Sequence, residues 1–106
     1  MVNNVSQGWI IKIENIKYPV LIVSNDTFNS VSQQIVACPI LSNIAANALH
    51  IKIDTAEISG VVICEQMRLF DLSVRGYKKI GEIKMDQIAN ITDAVQSIFE
   101  GGRKSL

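Results

Sequence analysis

Short apolar runs rich in β-branched residues recur along this chain and constrain its fold more than any other feature. Residues 20–23, VLIV, contain no polar position, so a strand there would be apolar on both faces. The run is too short for a helix. Pro19 lacks a backbone donor, which places it at a strand start or at a sheet edge. The pattern therefore predicts a β-rich fold.

The preceding residues 8–15, GWIIKIEN, alternate in the manner of a strand, with Trp9, Ile11 and Ile13 on one face. Only a short NIK connection separates this strand from the next, which predicts a tight hairpin. Four more strands are predicted by similar runs: residues 34–43 (bent at Pro39), 49–54, 60–70 and 77–84.

One segment has a clear helical stripe. Apolar residues at helical spacing predict a helix over residues 85–99, which Gly101 and Gly102 end. Residues 26–33 carry turn formers and no such stripe, so they are predicted to be a turn. The segment 71–76 predicts a short helical turn with Asp71 as its N-cap. The stripe of the long helix consists of Ile88, Ile91, Ala94, Val95 and Ile98, with Phe99 beside them.

These elements predict a mainly β fold with a C-terminal helix. Short antiparallel strands at this spacing favour a small barrel or a strongly bent sheet, with the helix over an open face. The length of 106 residues predicts one domain over residues 1–106. The polar ends, residues 1–7 and 101–106, are expected to be loose.

Composition excludes several classes of function. Ten basic and ten acidic residues cancel, so no overall charge attracts the chain to nucleic acid or to an anionic membrane. Cys38 and Cys64 lie in apolar runs, which predicts two reduced core thiols. A single histidine leaves too few ligands for zinc, so no metal or cofactor is expected. Without a long apolar run, no membrane segment is expected, and the predicted location is the cytoplasm.

Several blocks occur in a specific order: GWIIKIE, YPVLIVSNDTFN, IVACPILSN, HIKID, GVVICEQMRLFD and KKIGEI, followed by a helix. Together they resemble the MazF/PemK toxins of bacterial toxin–antitoxin systems, over residues 8–99. The resemblance implies an SH3-like antiparallel β-barrel of the CcdB/PemK type. It also implies a homodimer that a small antitoxin neutralises, and metal-independent cleavage of single-stranded messenger RNA.

The chain departs from the family where that chemistry is concentrated. Tyr18 replaces the arginine that usually precedes the proline, and Leu41 replaces a threonine, although Ser42 matches. Ile63 stands where PemK-like members carry an arginine. The long loop that helps to cover the RNA site between the first two strands is missing. Since arginine stabilises phosphorane charge well, these losses imply reduced or altered catalysis.

The resemblance leaves Glu65 as the candidate catalytic base, although it could also be a strand-end carboxylate in an ion pair. His50 is interpreted as structural, and Trp9 as packing at a barrel or dimer interface. Each cation could instead be part of a solvated face or an ion pair, and the tyrosine part of a plain hairpin edge. The candidates for an RNA-binding or partner groove are Lys17, Tyr18, Ser42, Arg68, Arg75, Lys78 and Lys79.

The sequence therefore favours a growth-inhibiting toxin of a type II toxin–antitoxin pair. Its expected partners are a cognate antitoxin, a second copy of the chain and single-stranded RNA, with DNA contacted only through the antitoxin complex. The alternatives are a non-enzymatic toxin of the CcdB kind and a binding module that acts on a protein target. The terminal tryptophan that engages gyrase in CcdB is absent, because the helix ends in FEGG.

Overall fold

The computed structural model describes residues 5–100, which form seven strands, two α-helices and one 3-10 turn. The strands are β1 (Trp9–Ile13), β2 (Val20–Ile22), β3 (Ile35–Leu41), β4 (His50–Asp54), β5 (Ser59–Ile63), β6 (Arg68–Phe70) and β7 (Tyr77–Glu82). The helices are α1 (Asp26–Ser32) and α2 (Met85–Glu100), and the 3-10 turn is Cys64–Gln66.

The strands form one antiparallel sheet in the order β4-β5-β3-β2-β1-β7, and β6 pairs with β3. This confirms the predicted mainly β fold with a C-terminal helix. The predicted barrel is only a loose description, because among residues 5–100 no ladder joins β4 to β7. Strands β1 and β2 form the predicted hairpin, with Ile10 opposite Leu21. Pro19 lies immediately before β2, where its missing donor interrupts no ladder bond.

One edge of β3 is shared by two strands. Its first residues, Ile35 to Ala37, pair with β6, and its last two, Ile40 and Leu41, pair with β5. The prediction of one long strand over residues 60–70 is therefore wrong. The chain leaves β5 at Ile63, makes the 3-10 turn and returns to the same edge as β6.

The turn predicted over residues 26–33 is instead helix α1. The Asn25 side chain accepts a hydrogen bond from Phe28 N at 2.8 Å, and Asp26 lies in the first turn, where negative charge favours a helix. The buried side chain of Asn29 donates to the carbonyl of Ser24, which anchors the helix to the end of β2. A cap and one buried polar contact thus replace the apolar stripe that the sequence lacks.

The helical turn predicted over residues 71–76 is also wrong. Asp71 accepts bonds from the backbone N and the hydroxyl of Ser73, at 2.9 and 2.5 Å, in a compact non-helical turn. The expected loose N-terminus does not extend to residues 5–7, because Val5 is buried and the Gln7 side chain donates to the Val23 carbonyl. Residues 1–4 and the predicted loose tail 101–106 lie outside the described residues.

The central strands are buried on both faces within this one chain. Along β2, Val20 and Ile22 belong to one apolar cluster, whereas Leu21 belongs to the other. Helix α2 covers the Leu21 face with Ile91 and Ala94. The opposite face is covered by three residues from outside the central strands, namely Val5, Phe70 and Leu72.

This double cover bears on the expected homodimer. Residues 20–23 and 35–40 are rich in apolar side chains, and such a surplus would favour a second copy of the chain if one chain could not bury it. Because both faces of β2 are covered by the chain itself, that surplus no longer requires a partner. A homodimer needs other support.

Cys38 and Cys64 are free and buried, as predicted. Burial, together with the Cys64 and Glu65 charges, raises the pKa of Cys38 to about 12. Burial and the Glu65 charge raise the pKa of Cys64 to about 11. Both thiols are thus protonated and poorly nucleophilic near neutral pH. Neither helix among residues 5–100 is long and apolar enough to cross a membrane.

Truncating single side chains of α2 should distinguish its buried positions from its exposed ones. Ile91 is 1% exposed and Ile98 is 39% exposed, so the two residues form a matched pair on one helix. We expect Ile91→Ala to lower the free energy of unfolding by about 2–5 kcal/mol, because it leaves a cavity under the helix. Ile98→Ala should cost about 1 kcal/mol or less. Urea unfolding measures both, and equal losses would contradict this placement of α2.

Candidate functional site

Glu65 lies in the 3-10 turn between β5 and β6. Cys64 is fully buried and holds the turn to the core, whereas the Glu65 side chain is 42% exposed. The break in the ladder therefore turns the carboxylate outward while its backbone stays anchored. A solvent-accessible carboxylate on a fixed backbone is suited to take a proton from a bound molecule.

The β4–β5 ladder brings His50 to this carboxylate. His50 is paired with Ile63, two residues before Glu65, and Cys64 N donates to the Leu49 carbonyl at 2.9 Å. His50 Nε2 lies 2.9 Å from Glu65 Oε2. His50, interpreted from the sequence as structural, therefore contacts the candidate base.

Asn47 contacts the other side of the same imidazole ring. Its Nδ2 lies 3.2 Å from His50 Nδ1. Asn47, His50 and Glu65 thus form one chain of polar contacts at the surface. Asn47 was not identified from the sequence, although an asparagine three residues before the only histidine, in NALH, is the spacing of a side-chain-capped turn.

The contact with His50 also affects the charge of Glu65. The hydrogen bond from His50 is the largest cause that lowers the pKa of Glu65, and its own backbone N–H adds to the effect. Partial desolvation acts in the opposite direction and is weaker. Glu65 is ionised at neutral pH, as a glutamate ordinarily is, and can accept a proton, although the lowered pKa makes it a weaker base.

Tyr18 separates two surface cavities. The first, of about 370 Å³, lies between the β1–β2 connection and the turn that carries Glu65. The second, of about 350 Å³, contains Tyr18, Leu41 and Ser42. Tyr18 lines both cavities and is 42% exposed. The first cavity is lined by Ile16, Tyr18, Val20, Ala37, Pro39, Gln66, Met67, Arg68 and Phe70.

Two arginines gather around one aromatic ring near the first cavity. The guanidinium carbons of Arg68 and Arg75 lie 5.1 and 6.0 Å from the centre of the Phe70 ring. Arg75 Nη1 is buried and has no hydrogen-bond partner among residues 5–100. The structure thus concentrates positive charge at β6.

Lys78 and Lys79, two of the candidate groove residues, do not share one surface. Lys78 and Lys79 are consecutive on β7 and point to opposite faces of the sheet. Lys79 lies 4.3 Å from the Trp9 ring centre and 2.5 Å from a Glu82 carboxylate oxygen. Trp9 itself packs against an apolar cluster. Lys17 lies 5.4 Å from the ring of Tyr18.

The candidate residues therefore fall into separate groups. Tyr18 and Arg68 share the first cavity, and Tyr18 and Ser42 share the second. Glu65 lines neither cavity, but the next residue, Gln66, lines the first. Among residues 5–100, no three histidine, cysteine, aspartate or glutamate side chains are grouped closely enough to hold a metal ion.

Removing the imidazole should raise the pKa of Glu65. We expect His50→Phe to move this pKa towards the ordinary glutamate value of about 4.3, since the bond that favours the carboxylate is lost. Because the folded-state pKa is lowered, the stabilisation from this bond exists above the ordinary pKa and disappears as the pH falls through the lowered value. A carboxyl-detected NMR titration measures the change.

Asp71 provides the internal control for that titration. Its pKa is lowered by bonds from Ser73, which does not contact His50. The pKa of Asp71 should therefore be unchanged in His50→Phe. A Glu65 pKa that also stays unchanged would show that the His50 contact does not determine its ionisation.

Comparison with solved structures identifies the same fold in several proteins. The MazE–MazF complex (Form-II) of Deinococcus radiodurans matches with a TM-score of 0.79 and 21% identity, over 91% of this chain and 95% of that chain. An endoribonuclease from a mycobacterial species matches with a TM-score of 0.79 and 18% identity, over 92% of each chain. A mycobacterial endoribonuclease in complex with its cognate antitoxin matches with a TM-score of 0.77 and 18% identity, over 93% of this chain and 97% of that chain.

At these identities the structures establish the fold alone. A search of curated proteins finds no match. A family model for the PemK-like, MazF-like toxins of type II toxin–antitoxin systems matches residues 12–99, most of the chain and nearly all of the described elements. The match agrees with the order of the sequence blocks and with the fold. This chain therefore belongs to the family of PemK-like, MazF-like toxins of type II toxin–antitoxin systems.

Proposed function

We propose that this protein is a growth-inhibiting toxin that binds single-stranded RNA beside Tyr18 and Arg68 and cleaves it slowly, with Glu65 as the base. The observation that carries the proposal is the ionised, exposed Glu65 carboxylate held by His50 next to the cavity of Tyr18 and Arg68. The proposed location of this activity is the cytoplasm, where a toxin would meet messenger RNA and its own cognate antitoxin.

The proposed reaction needs no bound cofactor. Glu65 takes the proton of a ribose 2′-hydroxyl, and O2′ attacks the adjacent phosphorus. The bond from phosphorus to O5′ breaks, O5′ takes a proton from water, and Glu65 returns its proton to solvent. The products are a 2′,3′-cyclic phosphate and a 5′-hydroxyl, so no electrons are transferred and one proton moves from O2′ to O5′ overall.

Slow cleavage follows from what surrounds the base. Tyr18 offers one hydrogen bond and no positive charge, and Leu41 offers no donor to the second cavity. Ile63 is buried, so it cannot contact a phosphate. Arg68 is the cation that lines the first cavity, and it would carry most of the charge stabilisation. Losing one such donor typically costs on the order of a hundredfold in rate.

An antitoxin is the proposed protein partner, in line with the mycobacterial endoribonuclease in complex with its cognate antitoxin and with the MazE–MazF complex of Deinococcus radiodurans. Contact with DNA would occur only through that complex. A homodimer is also proposed, with an isologous interface near β6. Leu69 and Val74, which flank the buried Phe70 and Leu72 in the sequence, are 55% and 75% exposed, so each presents an apolar side chain that a second copy could cover.

The alternative is a toxin without enzymatic activity that acts on a protein target. The observation that favours it is the exposure of the same two apolar residues, Leu69 and Val74. Exposed apolar side chains are suited to a protein partner, whereas RNA would use the cations. The RNA cleavage assay separates the two functions.

Purified protein should cut single-stranded RNA weakly in the presence of a chelator. Glu65→Gln should remove that activity, since an amide cannot accept the hydroxyl proton, with a loss of about 100-fold or more. Glu57→Gln removes the same charge from an exposed turn and serves as the control. RNA fragments with cyclic phosphate ends are the measurement. Absence of any cleavage would favour the non-enzymatic alternative.

Restoring the family residues provides a second arm of this assay. Tyr18→Arg alone should not fully restore rapid cleavage, because Leu41 still lacks a donor; Tyr18→Arg with Leu41→Thr should recover more.

Tyr18→Phe should change the free energy of unfolding by less than about 1 kcal/mol, as expected for a surface hydroxyl. Rapid cutting by the unmodified protein that Tyr18→Phe abolishes would instead assign catalysis to the tyrosine.

The dimer proposal predicts a defined effect of charge at β6. Leu69→Arg should shift the protein from dimer to monomer in sedimentation at micromolar concentrations, because it would bury an unpaired charge in the interface. Val31→Arg is the matched control, since Val31 is 80% exposed on α1. A wild-type protein that sediments only as a monomer would contradict the proposal.

A further inference from the structure

The side-chain amide of Asn47 is held in one orientation by its own turn. Its Oδ1 accepts bonds from Leu49 N at 2.8 Å and from His50 N at 3.0 Å. The backbones of Asn47 and His50 also bond to each other, with N–O distances of 3.0 and 3.3 Å. Because two backbone donors occupy the oxygen, the amide nitrogen must be the atom that faces the imidazole.

This orientation determines the protonation of the ring. Asn47 Nδ2 only donates, so His50 Nδ1, 3.2 Å away, must accept through its lone pair. A neutral imidazole then carries its proton on Nε2. That N–H points at Glu65 Oε2, 2.9 Å away, which can only accept when ionised. Each contact in the chain therefore pairs a donor with an acceptor.

We propose that Asn47 is a positioning residue that fixes His50 in its Nε2–H form and, through His50, orients Glu65. The imidazole then occupies one lone-pair site of the carboxylate, and the exposed side chain keeps others for a substrate hydroxyl. The tautomer is a property of the free protein. Its consequence for RNA cleavage rests on the function proposed above.

The same arrangement determines where a proton can go. When Glu65 takes the hydroxyl proton, His50 already donates from Nε2 and therefore keeps its Nε2–H form. A second ring proton, on Nδ1, would face the Nδ2–H donors of Asn47. The transferred proton therefore stays on the carboxylate until solvent removes it, and the imidazole acts as a fixed donor throughout.

The test uses the only histidine of the chain, so its ring signals need no assignment by mutation. Ring nitrogen shifts of ¹⁵N-labelled protein are recorded at about pH 8.5, roughly two units above the ordinary imidazole pKa. We expect a protonated Nε2 and an unprotonated Nδ1. In Asn47→Asp, one oxygen still accepts the turn N–H groups while the other accepts from the ring, so the Nδ1 signal should move to the protonated range.

Two further variants separate this effect from charge and from misfolding. Asn90→Asp adds the same charge on an exposed face of α2 and should leave the ring spectrum unchanged. Asn47→Ser keeps an oxygen that can accept from the turn but is too short to reach Nδ1, so the ring should populate both tautomers. Ring signals identical to wild type in both Asn47→Asp and Asn47→Ser would overturn the proposal.

The RNA assay supplies the functional readout. Asn47→Asp should lower kcat about tenfold or more with KM little changed, because the base loses its orientation and not its binding surface. Cleavage that is unaffected by a change of ring protonation would overturn the positioning role. If wild-type protein cuts no RNA at all, the proposed function fails, and the ring spectra still decide whether Asn47 fixes the tautomer.

Discussion

The pairing of β3 along both of its edges is the constraint on which the rest of this structure depends. One edge pairs with β2, and the other is divided between β5 and β6. Two strands can share an edge only if the chain leaves the ladder between them. The Cys64–Gln66 turn is that departure, and the buried Cys64 keeps it close to the core. The turn therefore exposes Glu65 without freeing its backbone.

The polar chain at Glu65 follows from this topology. Because β4 pairs with β5 up to the start of the turn, His50 lies next to the departing carboxylate. The turn before β4 then places Asn47 on the other side of the ring. Asn47 from the β3–β4 connection, His50 from the start of β4 and Glu65 from the 3-10 turn meet because one strand pair ends where that turn begins. The hydrogen bonds lower the pKa of Glu65, so the carboxylate stays ionised to a lower pH but is a weaker base than an ordinary glutamate.

The electrostatics of the molecule are local. With a formal net charge of zero, the chain has no general attraction for a polyanion. Positive charge is instead concentrated where Arg68 and Arg75 contact Phe70, beside the cavity that Tyr18 lines. Where the family commonly carries arginine next to the proline, this chain carries a neutral ring. Any phosphate held here would depend on β6 more than on the β1–β2 connection.

The sequence by itself determined the strand runs and the C-terminal helix, because each depends on local periodicity: alternation around Ile11 and the helical stripe through Ile91. The order of its blocks also indicated the family. Local pattern could not show that residues 60–70 divide into two strands, since that depends on which residues of β3 are free to pair. It missed α1, whose anchor Asn29 becomes informative only when buried. Likewise, Glu65 could be selected by resemblance, but only the β4–β5 register decided that His50 and Asn47 stand behind it, because hydrogen bonds between strands follow pairing rather than sequence distance.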